Sequence, residues 1–275
     1  MNMNLKAMKI ELPDIKSINL DEIEKKHLIK LDGKYDKPPI LISIIDEQNE
    51  YPIAHLGGFS VLKGQSKGRK TTFLNTFKAA YQMRPIPLLN TILFRETKRK
   101  ILWFDTEQAP YEIYYHEKIA TKLAGVEMIE GLRTYYLRPF TPDERFEIIS
   151  QIIDKYKDEV CFVVIDGILD LVNSMNSEEE ATMITSWLLK KTENYNQHHC
   201  VIIHENYDSG KASGHVGSYL LRKAESIIEI NLNKKDDRMS DITPRMMRKK
   251  RFTPFSITID DNGLPAVRVN LNYEF

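Results

Sequence analysis

Val61-Leu62-Lys63-Gly64-Gln65-Ser66-Lys67-Gly68-Arg69-Lys70-Thr71-Thr72 is the stretch on which the fold turns. It fits the phosphate-binding pattern G-x-x-x-x-G-K-[ST] at Gly64, Lys70 and Thr71, with Arg69 in place of the second glycine and Gly68 one residue early. An apolar run, Phe59 to Leu62, precedes it. A helical pattern follows, with Phe73, Leu74, Phe77, Ala80 and Tyr81 on one side. A strand, a loop and a helix in that order let backbone N–H groups from Gly64 to Thr72 and the helix N-terminus cradle phosphates. Lys70 is then placed to reach the β- and γ-phosphates of a nucleotide, and the Thr71 hydroxyl to hold Mg²⁺. A side chain at position 69 is tolerable if that residue already has helical geometry.

Three further segments carry polar groups at the ends of apolar runs. Asp105-Thr106-Glu107-Gln108 follows Ile101 to Phe104. Ligands of open α/β sheets bind beyond the carboxyl ends of strands, so Glu107 lies near a γ-phosphate if its strand neighbours that of the loop. There it can deprotonate an attacking water. Phe162-Val163-Val164-Ile165-Asp166 ends in an acid suited to holding Mg²⁺, and the next residue is Gly167, not a second acid. Val201-Ile202-Ile203 ends in His204, a candidate sensor of the γ-phosphate; a structural histidine is the alternative. The segment from Glu205 to Gly217 contains Gly210, Gly214 and Gly217 with Lys211 and His215, a glycine density that suggests motion. The basic run Arg245 to Arg251 reads as a solvated loop, as a nucleic-acid patch, or as two cationic fingers, Lys249 and Arg251, reaching a nucleotide on another subunit.

The chain has 275 residues, with 39 basic side chains against 39 acidic ones. That balance excludes a global field for nucleic acid and leaves only local patches. Two cysteines, Cys161 and Cys200, exclude a disulfide framework. No apolar run approaches the ~20 residues of a membrane span, and Met1 to Lys9 lacks a signal-peptide core. A soluble, cytoplasmic protein is expected.

Residues 1–37 form a polar extension with one weak helical stripe (Ile15, Ile18, Ile23, His27, Leu28), and residues 38–275 form the main domain. Strands are expected at 40–45, 53–56, 101–104, 161–165, 200–203 and 227–230. Helices are expected at 111–123, 142–156, 177–194 (with a Ser177/Glu180 capping box) and 216–224. Residues 83–100 read as an insertion and 233–251 as a mobile loop. Asp260-Asp261-Asn262-Gly263 joins two hairpin strands, 255–259 and 266–269. Alternating strands and helices make an α/β fold, with a mostly parallel sheet covered on both faces and a C-terminal β-hairpin.

Together, the loop at Lys70 and Thr71, Asp105 to Gln108, Val164-Ile165-Asp166, His204, Gly214-His215-Val216-Gly217-Ser218 and Asp261 to Pro265 resemble the RecA/DnaB superfamily of P-loop ATPases. The likeness is to RepA-type hexameric helicases and related ATPases of bacterial mobile elements, over residues 38 to 272. It implies a RecA-like core that binds ATP and Mg²⁺ between subunits of a hexameric ring, with single-stranded DNA in its channel. It further implies fingers at Lys249 and Arg251 and DNA contact by Lys211 and His215. With no primase or collar domain evident, loading in such a helicase would depend on a replication or mobilisation partner or on self-assembly. A nucleotide-gated scaffold of the recombination-mediator kind, with little turnover, is the second reading; a small-molecule kinase is a third.

Overall fold

The computed structural model describes residues 18–47, 49–65, 68–95, 97–205 and 214–269. The chain divides into two compact units, 1–37 and 38–275. In the first, α1 (Leu20–His27) is capped by Asn19, whose side chain accepts from the Glu22 backbone N–H, and none of its residues is buried.

The second unit runs β1 (Ile40–Asp46), β2 (Asn49–His55), β3 (Phe59–Gln65), α2 (Lys70–Met83), β4 (Ile92–Phe94), β5 (Lys100–Asp105), α3 (Pro110–Ala124), β6 (Leu132–Tyr136), α4 (Pro142–Lys155), β7 (Val160–Asp166), α5 (Glu178–Tyr195), β8 (His198–Glu205), α6 (Gly214–Lys223), β9 (Ser226–Leu232), β10 (Met239–Met247), β11 (Phe255–Ile259) and β12 (Pro265–Val269). Nine strands form one sheet in the order β12-β11-β10-β9-β3-β8-β7-β5-β6, and β2-β1-β4 form a small second sheet. The six strands from β9 to β6 are parallel, so the loops leaving β3, β8, β7 and β5 emerge along one edge.

Side chains of these strands alternate between two cores, the period-two geometry of a sheet buried on both sides. Leu62, Trp103, Phe162, Val164 and Ile202 pack with Phe73, Leu74 and Phe77 of α2 and Ala120 of α3. Val61, Phe104, Val163, Ile165 and Val201 face Phe146 and Ile149 of α4, Ile184 and Leu188 of α5, and Val216 and Leu220 of α6. Phe162 lies edge-on to both Phe77 (6.2 Å between centroids) and Phe94 (5.8 Å) and stacks on His198.

Several expectations need correction. Residues 233–251 are not one loop. They contain β10, whose apolar signal is weak because only Ile242 among its buried positions is a large aliphatic. Pro244 lies in β10 beyond the last residue paired with β11, next to an irregularity in the β9 pairing, where a missing N–H breaks no outer ladder. The segment 83–100 includes β4, which completes the small sheet. β6 is an additional parallel edge strand. Ser177 caps α5, but Glu180 turns instead to the backbone N–H groups of Asn173 and Ser174, so the expected reciprocal box is half made. A complete box forms at Thr141 and Glu144. The hairpin loop is longer than a two-residue turn: Ile259 pairs with Pro265, and Gly263 takes φ 77°.

Phe162→Ala removes the ring that joins α2, β4 and β8, and is expected to lower unfolding free energy by about 3–5 kcal/mol in chemical denaturation.

Candidate functional site

The site is assembled by strand register. Gly64 at the end of β3 lies opposite His204 on β8; Ile202 of β8 lies opposite Asp166 on β7; and Asp166 lies opposite Asp105 on β5. The strand carrying Glu107 therefore does not neighbour that of the loop, since β8 and β7 stand between them. The gap is bridged by His204, whose Nε2 is 3.1 Å from Glu107 Oε2. The His204 hydrogen bond, ahead of burial, holds the Glu107 carboxyl below its ordinary range, with Lys70 and Arg138 contributing smaller favourable fields.

The turn after β5 is held rigidly. Asp105 accepts from the backbone N–H groups of Glu107 (3.0 Å) and Gln108 (2.8 Å). The single proton of the Thr106 hydroxyl is shared between the Asp166 carbonyl (2.9 Å) and an Asp170 carboxylate oxygen (2.7 Å). Gly167 has φ 103°, and a Cβ there would collide with the Thr106 hydroxyl. That contact explains why no second acid follows Asp166: the acid-bearing turn comes from the neighbouring strand instead. Asp105 opens the Asp105–Gln108 tetrad, and no motif in the sequence marks it as a functional residue.

Asp105 and Asp166 are both buried. Burial, then the Asp105 charge, pushes the Asp166 carboxyl up to about 7, and burial likewise raises Asp105. Two adjacent buried acids suit a cation. Among the described residues no group of three or more His, Cys, Asp or Glu is arranged to hold a metal. This donor set fits Mg²⁺, which keeps several waters and binds through one or two carboxylates plus phosphates. Asp166 and the Thr71 hydroxyl are the residues that would hold it.

In the loop, Lys70 Nζ donates to the carbonyls of Gly64 (2.9 Å) and Gln65 (2.7 Å). Gly64 passes so close to β9 that a Cβ would run into the Ile230 carbonyl oxygen. Arg69 does not have helical geometry. It sits at φ 60°, ψ 31°, in the left-handed region, and α2 begins there without a side-chain cap. That conformation favours glycine and costs an ordinary residue about 1–2 kcal/mol. The Arg69 guanidinium donates to the Arg238 carbonyl (2.6 Å), and Ser240 Oγ donates to the Gly68 carbonyl (3.3 Å). The turn between β9 and β10 thus braces the loop, a role invisible without the fold. Thr71 and Thr72 open α2, half-buried. Ser66, Lys67 and Lys211 lie outside the described residues. His215 is exposed in the first turn of α6.

Lys249 and Arg251 are exposed at the opposite edge of the sheet. Met247 pairs with Ser226 at the start of β9, and the Lys249 charge bears on His55 and Glu225. Neither is beside the phosphate loop of its own chain.

A structural comparison finds a KaiC-like protein of the hyperthermophilic archaeon Pyrococcus horikoshii. It matches 78% of this chain and 93% of that chain with a TM-score of 0.51 at 16% identity. At that identity the likeness establishes the fold alone: a RecA-like α/β core with a mostly parallel sheet. In all, 651 chains of solved structures share such a likeness, so it assigns an architecture and leaves the reaction to the side chains. No protein-family model and no curated protein matches the sequence. Among the described residues, no helix is long and apolar enough to cross a membrane.

The raised Asp166 sets a pH dependence. A carboxyl with a higher pKa folded than unfolded adds stability below its ordinary value of 3.8 and loses it progressively as pH rises from there to about 7. Unfolding free energy is therefore expected to fall over that window, by up to about 1.4 kcal/mol per pH unit. In Asp166→Asn the profile, followed by denaturant titration, is expected to be flatter.

Proposed function

We propose that this protein is a Mg²⁺-dependent ATPase. The observation that carries the reading is the row Gly64–His204–Asp166–Asp105 at one sheet edge, with the Lys70 loop at one end and Glu107 reaching back to His204. Lys70 leaves the Gly64 and Gln65 carbonyls for the β- and γ-phosphates. Glu107 takes a proton from a water whose oxygen attacks the γ-phosphorus. The bond from that phosphorus to the β–γ bridging oxygen breaks, giving ADP and phosphate. Mg²⁺, where bound, neutralises phosphate charge. His204, which hydrogen-bonds Glu107, reports the state of the γ-phosphate to the segment that follows β8.

The finer reading is a ring-forming motor, a hexamer by family resemblance, that moves on single-stranded DNA as a helicase in plasmid or mobile-element replication or mobilisation, with a protein partner for loading. Lys249 and Arg251, remote from their own loop, act there on the nucleotide of the next subunit, and Lys211 and His215 meet DNA. A second reading is favoured by Arg69: a residue strained at the glycine position and tied to Arg238 stiffens the loop, and a nucleotide-gated scaffold with little turnover follows from that.

Lys70→Ala is expected to abolish nucleotide binding. Glu107→Gln is expected to keep it while slowing phosphate release by about a hundredfold or more. Equal turnover in wild type and Glu107→Gln removes Glu107 as the base. Arg69→Gly separates the two readings: faster phosphate release marks a restrained ATPase, whereas binding without release in both proteins marks the scaffold.

A further inference from the structure

Helix α3 starts three residues after Glu107 and carries an unusual outer face. Tyr111, Tyr114, Tyr115, Lys118 and Lys122 recur at helical spacing along a single stripe. All five are exposed, the tyrosines at 70%, 58% and 49%. Tyr136, at the end of β6, is also exposed. Thr134 of β6 hydrogen-bonds Glu117 of α3, so Tyr136, two residues on, leaves the sheet on the same side, at its outermost strand.

The chemistry of the stripe selects its ligand. Three phenol rings and two ammonium groups stand on the helix, with a fourth phenol on β6; no carboxylate of α3 lies among them, and Asp260 of the β11–β12 loop lies within the field of Lys122. Glu112 leaves the helix on a flanking face. Glu117 turns inward to Lys78 (2.7 Å) and Thr134 (2.7 Å). The stripe itself bears no Leu, Ile or Met of the kind that forms the dry centre of an obligate protein interface. Both lysines are exposed; Lys118 Nζ lies 5.6 Å from the Tyr114 ring centroid, and Lys122 Nζ donates one hydrogen bond to the Asn262 carbonyl (3.2 Å). Tyr114 and Lys118 also form part of the wall of a cavity of about 300 Å³ between α3 and β6.

We propose that the outer face of α3 is a platform for single-stranded nucleic acid, with bases stacked on Tyr111, Tyr114, Tyr115 and Tyr136 and phosphates neutralised by Lys118 and Lys122. Aromatic rings interleaved with cations bind single strands without reading sequence, because every base presents a π-face. The surface takes up the single-stranded DNA reading above but does not depend on nucleotide hydrolysis. It is also distinct from the segment of Lys211 and His215. Its position just after the Glu107 turn joins strand binding to that turn through one rigid helix.

The test is fluorescence anisotropy of a labelled oligothymidylate with the full chain, without nucleotide, across a salt series. Tyr111→Ala and Tyr114→Ala are each expected to weaken binding roughly tenfold, and Tyr111→Phe to retain it. Lys118→Gln with Lys122→Gln is expected to reduce the slope of log affinity against log salt by about 1.4. Lys190→Gln, at an exposed position of α5 on the other face of the sheet, is expected to bind oligothymidylate as wild type does, which ties the lost slope to the α3 lysines. Unchanged affinity and slope in the α3 variants overturn the platform while leaving DNA binding elsewhere intact. Absence of binding by wild type overturns both. A change in oligomeric mass on Tyr111→Ala, with oligothymidylate affinity per protomer unchanged, makes the stripe a protein interface and overturns the proposal.

Discussion

The hydrogen-bond register of four parallel strands is the constraint on which the rest depends. With β3, β8, β7 and β5 side by side, Gly64, His204, Asp166 and Asp105 fall along one edge of the sheet. A one-residue slip in any pair would send a whole strand's side chains to the wrong core. Both faces are buried, so the two cores hold the register from either side. Gly64 adds a local lock, because its missing Cβ lets β3 pass against the Ile230 carbonyl.

This edge stores unfavourable energy that the fold must support. Asp105 and Asp166 are buried acids in adjacent strands, and burial with mutual repulsion keeps Asp166 near 7. Lys78, itself buried, is part of the support. Its ammonium pairs with Glu117 and sits 4.1 Å from the centroid of the Trp103 ring, and its charge opposes the rise at both aspartates. Arg69 adds left-handed backbone strain at the start of α2, offset in part by its bond to Arg238. A polyphosphate with its cation would relieve several of these terms together. Preorganised, strained sites of this kind are common where ligands bind.

Much of the fold could be read from the sequence. Apolar runs ending in a polar residue located β5, β7 and β8, and the spacing after Lys70 located α2. β10 escaped because its buried positions are Ser240, Ile242 and Pro244, which give no apolar alternation. β6 escaped because Leu-Arg-Thr-Tyr-Tyr is an edge strand with no residue fully buried. In the site, local motifs pointed to Lys70, Glu107, Asp166 and His204. Strand order was not legible, so the intervening β8 and β7 went unforeseen, as did the meeting of Glu107 with His204. The handedness of Arg69 was not legible for a related reason: the contact that accompanies it comes from the β9–β10 turn, far along the chain. The α3 stripe was not legible because the sequence shows a helix at 111–123 but not which of its faces is turned outward.

The central claim is that the strand-end row receives a nucleoside triphosphate. A crystal structure of the protein with Mg²⁺ and a non-hydrolysable ATP analogue tests it most directly. The account predicts that Lys70 Nζ exchanges the Gly64 and Gln65 carbonyls for β- and γ-phosphate oxygens, with the cation beside Thr71 and Asp166. An analogue bound elsewhere, or Lys70 still held by those two carbonyls at full occupancy of the analogue, would contradict it.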